Sequence, residues 1–221
     1  MYVELKHINK HFGNFKASDD VSFGIEKGKL IGLLGPSGSG KTTITSKILR
    51  HEWLEGAVYI NPDIVAQEKF GDWNSMDAVK QSVEYCEELR ERCLRDHQSL
   101  IFETVLSAED KIDFIKRAKE AGFFIRLFFV STEHPSVNAS RIARRVMKGG
   151  HDVPISKIVS RYYKSIVNCF KASKYADRTY VYDNTAENTE AQILFRMIDG
   201  KLAKQYLSEL PKWSEPILGI M

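Results

Sequence analysis

Cysteine, charge imbalance and long apolar runs are all scarce in this chain of 221 residues. Its three cysteines, Cys86, Cys93 and Cys169, are scattered and odd in number, which argues against a disulfide framework and suits reduced thiols in a cytosol. Free cysteines of this kind are usually small buried hydrophobes, so a metal or redox role is not expected of them. A net charge of +3 is too small to set up a broad nucleic-acid-binding or membrane-binding field. No apolar run approaches the roughly 20 residues of a membrane span, and Met1-Tyr-Val-Glu-Leu-Lys6 is not patterned as a signal peptide. Neither an internal repeat nor a low-complexity segment is present. What remains is a cytoplasmic α/β domain, or one domain with an appendage, whose 43% hydrophobic content can build a real core.

The most informative stretch is Gly35-Pro-Ser37-Gly38-Ser39-Gly40-Lys41-Thr42-Thr43, directly after the apolar run Leu30–Leu34. It fills the fixed positions of the G-x-x-x-x-G-K-[ST] phosphate loop. A strand ends, small residues let backbone N–H groups curl round an anion, and a helix opens with its positive end aimed there. Lys41 is the expected contact to the β- and γ-phosphates, and Thr42 the expected Mg²⁺ ligand. A nucleoside triphosphate bound with Mg²⁺ is therefore expected; that it is ATP is what the family resemblances below imply.

Two acidic residues follow at strand ends. Gly56–Ile60 reads as a strand, and Pro62 puts Asp63 just beyond it. Ser99–Phe102 reads as another strand, with Glu103 and Thr104 at its end. In a parallel sheet these ends line the ligand crevice. Asp63 could take a proton from an attacking hydroxyl or hold Mg²⁺ through water; the bland alternative is a helix N-cap. A helix opened by Pro135 and ended by Gly149-Gly150 carries Arg141, Arg144 and Arg145 on one side. They form either a solvated basic face or a lid whose arginines neutralise the transferring phosphoryl group. Arg161, off the apolar stripe Ile155, Ile158, Val159, Tyr162, Ile166 of the following helix, is expected in the cleft.

The remaining elements frame these groups. Tyr2–Ile8 and Val21–Ile25 alternate like half-buried strands, and the phosphate-loop helix should run from Thr42 to about Arg50. The spacing predicts a helix from Asn74 to about Asp96, with Met76, Val79, Val83, Cys86, Leu89 and Cys93 as its core stripe. Ser107 and Asp110 suggest a capping box for a helix stopped by Gly122, and Phe123–Val130 a strand covered on both faces. Thr179–Asp183 is the last parallel strand, and Asp199-Gly200 joins Ala191–Met197 to Lys201–Tyr206 as a hairpin. The tail from Ser208 has no regular pattern.

Residues 1–43 resemble the start of an ABC-transporter ATPase, through Ile8-Asn-Lys-His-Phe12-Gly, Val21-Ser-Phe23 and Gly28 to Thr43. That resemblance implies that Phe12 stacks on adenine; the alternative is that it only plugs the flap to the core. The Leu-Ser-Gly-Gly-Gln-type signature, the Asp-Glu pair after four apolar residues and the switch histidine are missing, so the likeness is expected to end near Thr43 and the chain not to be a transporter ATPase.

From Leu33 to about Trp213 the chain resembles the zeta-toxin-like P-loop kinases. The pieces stand in order: the phosphate loop, Asn61-Pro-Asp63, Phe102-Glu-Thr104-Val-Leu-Ser107, Arg141-Ile-Ala-Arg-Arg145 through His151-Asp-Val-Pro154, Arg161-Tyr162 and Asp183-Asn184. The resemblance implies ATP-dependent phosphorylation of a nucleotide sugar such as UDP-N-acetylglucosamine; the alternatives are a kinase for another hydroxyl, of an antibiotic, a nucleoside or a polynucleotide end, and a non-catalytic ATP-binding regulatory module. It makes Asp63 the general base, gives Glu103, Thr104 and Arg161 to the small-molecule substrate, and makes Arg141 or Arg144 a γ-phosphate arginine. It carries an antitoxin protein as a candidate partner. Larger members have an arginine where this chain has His151, and Arg144 and Arg161 are the candidates to replace it. The expected fold is α/β: one P-loop kinase domain over 1–221, a mostly parallel sheet of five strands between helices, an antiparallel flap over 1–29 and a C-terminal hairpin.

Overall fold

The computed structural model describes residues 3–12, 15–25, 28–41, 56–71, 75–150, 152–187 and 189–220, with backbone alone described for residues 3–25. The predicted loop helix, Thr42, Thr43 and His151 lie outside the described residues.

Strand β3 (Lys29–Leu34) carries the phosphate loop, and its neighbours fix where everything else converges. The sheet order is β4 (Val58–Ile60), β5 (Leu100–Thr104), β3, β6 (Phe124–Ser131), β7 (Arg178–Asp183), β8 (Gln192–Ile198), β9 (Lys201–Gln205). The first five pair in parallel, as expected. The hairpin does not stand apart: β8 joins β7 antiparallel and brings the sheet to seven strands. Asp199 and Gly200, at φ 47° and 73°, make its turn with the left-handed backbone that a two-residue hairpin needs. Strands β1 (Val3–Phe12) and β2 (Phe15–Ile25) form a separate antiparallel ladder. Both are longer than predicted, because pairing continues to Phe12 opposite Phe15.

Side chains alternate across the sheet. Leu30, Leu34, Phe102, Leu127 and Phe129 join the main core, while Ile31, Leu33, Ile101 and Phe128 fill the other face. Helices α1 (Pro62–Phe70), α2 (Met76–Arg95), α3 (Glu109–Glu120), α4 (Pro135–Val146) and α5 (Ile155–Ser173) complete the frame. Among the described residues no helix is long and apolar enough to cross a membrane.

Three local expectations are corrected. Met76 and Val83 of the predicted α2 stripe are exposed, and the buried face is Ala78, Ser82, Cys86, Arg90 and Cys93. The helix is rotated so that an arginine, not a further aliphatic, turns inward. In α5, Ile155 and Val159 are likewise exposed while Ile158, Tyr162 and Ile166 are buried. Ser107 does not cap α3: Ala108 stands at the N-cap without a side-chain bond. The tail is also ordered, as a 3-10 helix (Lys212–Leu218) whose Trp213 packs on Phe129 and donates from Nε1 to Asp183 Oδ2 at 2.7 Å.

Candidate functional site

The phosphate loop leaves β3 through glycines that a side chain could not replace. Gly35 has φ 141° and a Cβ there would lie 2.0 Å from the Val130 carbonyl oxygen. Gly40 has φ 88°, and its Cβ would meet Asn184 Nδ2 at 2.2 Å. That Asn184 amide donates to the Ser39 carbonyl at 2.8 Å, tying the loop to the segment after β7. Lys41 folds back over the loop, Nζ donating to the carbonyls of Gly35 at 2.8 Å and Pro36 at 3.1 Å. Ser37, Gly38, Gly40 and Lys41 open onto a cavity of about 680 Å³. Ser39 does not: its side chain is buried, and among the described residues its hydroxyl has no partner.

Asp63 and Glu103 reach the same cavity from the ends of β4 and β5. The cap of α1 is Asn61, whose Oδ1 accepts from the Asp63 backbone N–H at 3.0 Å. Asp63 is thereby released from capping; its side chain is exposed and accepts no hydrogen bond among the described residues. Glu103 differs. Its Oε2 accepts from Tyr59 Oη at 3.0 Å and from Asn61 Nδ2 at 3.2 Å, which orients the carboxylate. Burial first, then the Glu103 charge, drive the Tyr59 phenol well above its usual range, so it stays a donor. Thr104 lines the cavity and accepts from the Leu106 N–H at 3.4 Å, where the chain turns at φ 58°.

The arginines divide. Arg141 lines the cavity, but its guanidinium donates to the carbonyls of Asn184 at 2.8 Å and Thr185 at 3.2 Å. It therefore braces the segment that holds Ser39. Arg144 is not brought in with the others: it points outward and forms an ion pair with Glu187. Arg145 and Arg161 line the cavity instead. Burial draws the Lys41 ammonium below its ordinary value; Glu103 and Asp63 oppose this, and Arg145 and Arg161 add to it. Those five charges therefore face one another across one space. Phe12 closes β1, and its side chain is among those not described.

Sequence reasoning missed the cations at the far wall. Arg90 of α2 and Lys111 of α3 both line the cavity, beside Glu87 and Asp110. The available signal was spacing: Arg90 lies four residues after Cys86 and three before Cys93, hence on the buried face. Asn184, which holds the Ser39 carbonyl, and Asn61, which caps α1 and bonds Glu103, carry no sequence signal beyond standing next to Asp183 and near Asp63.

Comparison with known proteins gives two kinds of likeness. Over 67 residues the chain is 45% identical to an Fe(3+) ions import ATP-binding protein of Pectobacterium atrosepticum, which covers 30% of this chain and 19% of that protein. The chain thus spans about a fifth of the length of the curated relatives it matches. In shape it is similar to the AvrRxo1-ORF1:-ORF2 complex, solved natively and with ATP: for the native form the TM-score is 0.63 at 22% identity, over 87% of this chain and 64% of that one. It is also similar to the PezAT chromosomal toxin-antitoxin system of Streptococcus pneumoniae, with a TM-score of 0.53 at 19% identity over 88% and 85%. At these identities the structural likeness speaks for the fold. The family profile of the ABC transporter matches residues 18–212. The expectation that this likeness ends near Thr43 is therefore corrected: the match runs on through the sheet and through Asp63 and Glu103, although the signature peptide is absent from the sequence. With the strand, the phosphate loop and the cleft of an ATP-binding P-loop fold in place, the chain belongs to the ABC transporter family.

Proposed function

We propose that this chain is a cytoplasmic ATP-dependent kinase that transfers the γ-phosphate to a hydroxyl of a small molecule, with nucleotide sugars the first acceptors to try. The observation that carries this reading is Asp63: a carboxylate released from capping by Asn61, unbonded among the described residues, and facing the cavity that Lys41 shares. A hydrolase also needs a group to orient its attacking water, but it does not need a space of this size beside that group. In the reaction, the acceptor O–H proton passes to an Asp63 oxygen as the O–P bond forms and the bond from Pγ to the ADP oxygen breaks. Lys41, Arg145 and Arg161 neutralise the charge that spreads over the phosphoryl oxygens and the leaving ADP. Glu103, held by Tyr59 and Asn61, and Thr104 are the groups suited to orient acceptor hydroxyls.

Among the described residues no three His, Cys, Asp or Glu side chains cluster as metal ligands. Mg²⁺ would enter with the nucleotide; Thr42, by its place in the phosphate-loop sequence, and Asp63, through water, are the residues that would hold it, and it would draw charge off the phosphates. We read 1–221 as one kinase unit with 1–29 as its flap. The likeness in fold to the PezAT toxin-antitoxin system supports an antitoxin-like protein as the partner to look for.

Membership of the ABC transporter family favours a second reading, an ATP-hydrolysing subunit of an importer. One experiment separates the two. The protein is incubated with Mg·ATP and a panel of UDP-sugars, and products heavier by one phosphate are sought by mass spectrometry, with Lys41→Ala and Asp63→Asn alongside. A phosphorylated sugar that disappears in both variants supports the kinase; its yield in Asp63→Asn should fall by roughly 10²–10⁴-fold. ATP hydrolysis that persists in Asp63→Asn with no acceptor phosphorylated refutes it in favour of the importer subunit.

A further inference from the structure

Beyond the phosphate loop the cavity continues to a second end, walled by α2 and the start of α3. Arg90 lines that wall with a side chain only 8% exposed. Among the described residues its guanidinium makes no hydrogen bond, and its ion pair to Glu87 is long, at 3.6 Å. The Phe114 ring lies 5.6 Å beneath it, a contact that fixes its plane but satisfies none of its five N–H donors. Lys111 stands beside it, 16% exposed, with Glu87 at 3.4 Å and Asp110 as neighbours.

Formal charge here sums to zero, but the distribution does not. The two cations are buried in the wall, whereas Glu87 and Asp110, which also line the cavity, are 48% and 52% exposed and so are screened more by water. Over the whole cavity, Lys41, Arg90, Lys111, Arg141, Arg145 and Arg161 outnumber Asp63, Glu87, Glu103 and Asp110, so the field in it is positive. A buried, under-bonded guanidinium is costly unless something pairs with it. A planar fork of donors suits the oxygens of a phosphate.

We propose that this end of the cleft is a phosphate-binding subsite, in which Arg90, with Lys111, grips a phosphate or diphosphate group already present on the molecule that occupies the cavity. The subsite selects phosphorylated molecules over their uncharged counterparts. Calling that molecule the acceptor rests on the kinase reading; the subsite itself does not.

The test saturates the phosphate loop with AMP-PNP and excess magnesium, then titrates inorganic pyrophosphate, UDP and uridine by calorimetry. The loaded wild type should bind UDP and pyrophosphate, and UDP at least ~10-fold more tightly than uridine. Arg90→Gln should lose at least ~10-fold in both anions while its AMP-PNP affinity is kept. Glu87→Gln, a change at an exposed carboxylate that spares the core, should tighten both anions several-fold by removing the competing charge, roughly as expected for a like-charge neighbour of the ligand. Anion binding by the loaded wild type that is absent, or that both variants leave within two-fold, overturns the proposal. If Arg90→Gln fails to fold, Glu87→Gln decides alone. Anion binding through Arg90 without phosphoryl transfer to any acceptor upholds the subsite and sinks the kinase; transfer to UDP-sugars with unaltered KM in Arg90→Gln does the reverse.

Discussion

Gly40→Ala tests how the phosphate loop is held. The glycine sits at φ 88°, and a methyl there would lie 2.2 Å from Asn184 Nδ2. The backbone cost of forcing an L side chain into this region is about 1–2 kcal/mol. The clash adds a second cost, because the far end of Asn184 swings away easily but its 2.8 Å bond to the Ser39 carbonyl is lost. That bond is worth about 1 kcal/mol. Gly40→Ala should therefore destabilise by about 2–3 kcal/mol in urea unfolding. Asn184→Ala alone should cost about 1 kcal/mol, and in its background Gly40→Ala should cost only the backbone part. The double-mutant cycle should return a coupling near 1 kcal/mol, with ATP-analogue affinity weakened in step. If Gly40→Ala costs the same with and without Asn184, the strut from β7 to the loop is not what the loop leans on.

Other perturbations follow from the same geometry. Trp213→Phe keeps most of the ring packing on Phe129 but removes the donor to Asp183, so the urea midpoint should fall by an amount equivalent to about 1–3 kcal/mol with an unchanged slope. Burial lowers the Lys41 pKa in the folded state, so between that lowered value and the ordinary lysine range the unfolded chain binds more protons. Stability should thus rise with pH across that window, up to the ordinary lysine value of 10.5, and Lys41→Met should flatten the rise; equal slopes for the two proteins would refute the assignment. Arg161→Gln should lower phosphoryl transfer at least ~10-fold more than Arg144→Gln, measured as kcat, because Arg161 faces the cavity.

What could be read in advance divides along a physical line. The phosphate loop, the parallel strands and the Asp199-Gly200 hairpin follow from local rules: left-handed glycines, apolar runs covered on both faces, and a turn whose backbone only certain residues adopt. Asp63 and Glu103 were placed by the same logic, since a residue just past a parallel strand has one sheet edge to occupy. Rotation about a helix axis is different. Successive residues of a helix are about 100° apart, so Arg141, Arg144 and Arg145 share a side in the sequence while the fold separates one that faces Glu187 from two that face the cavity. The α2 stripe failed for the same reason. Met76 is apolar and exposed, Val83 lines the cavity and not the core, and Arg90 is charged and buried, because the wall that Val83 and Arg90 share belongs to a cavity. A period of apolar residues reports where water is excluded by packing; it cannot report where water is excluded to make room for a ligand. Arg90 violates the pattern, and such violations mark where function overrides folding preference.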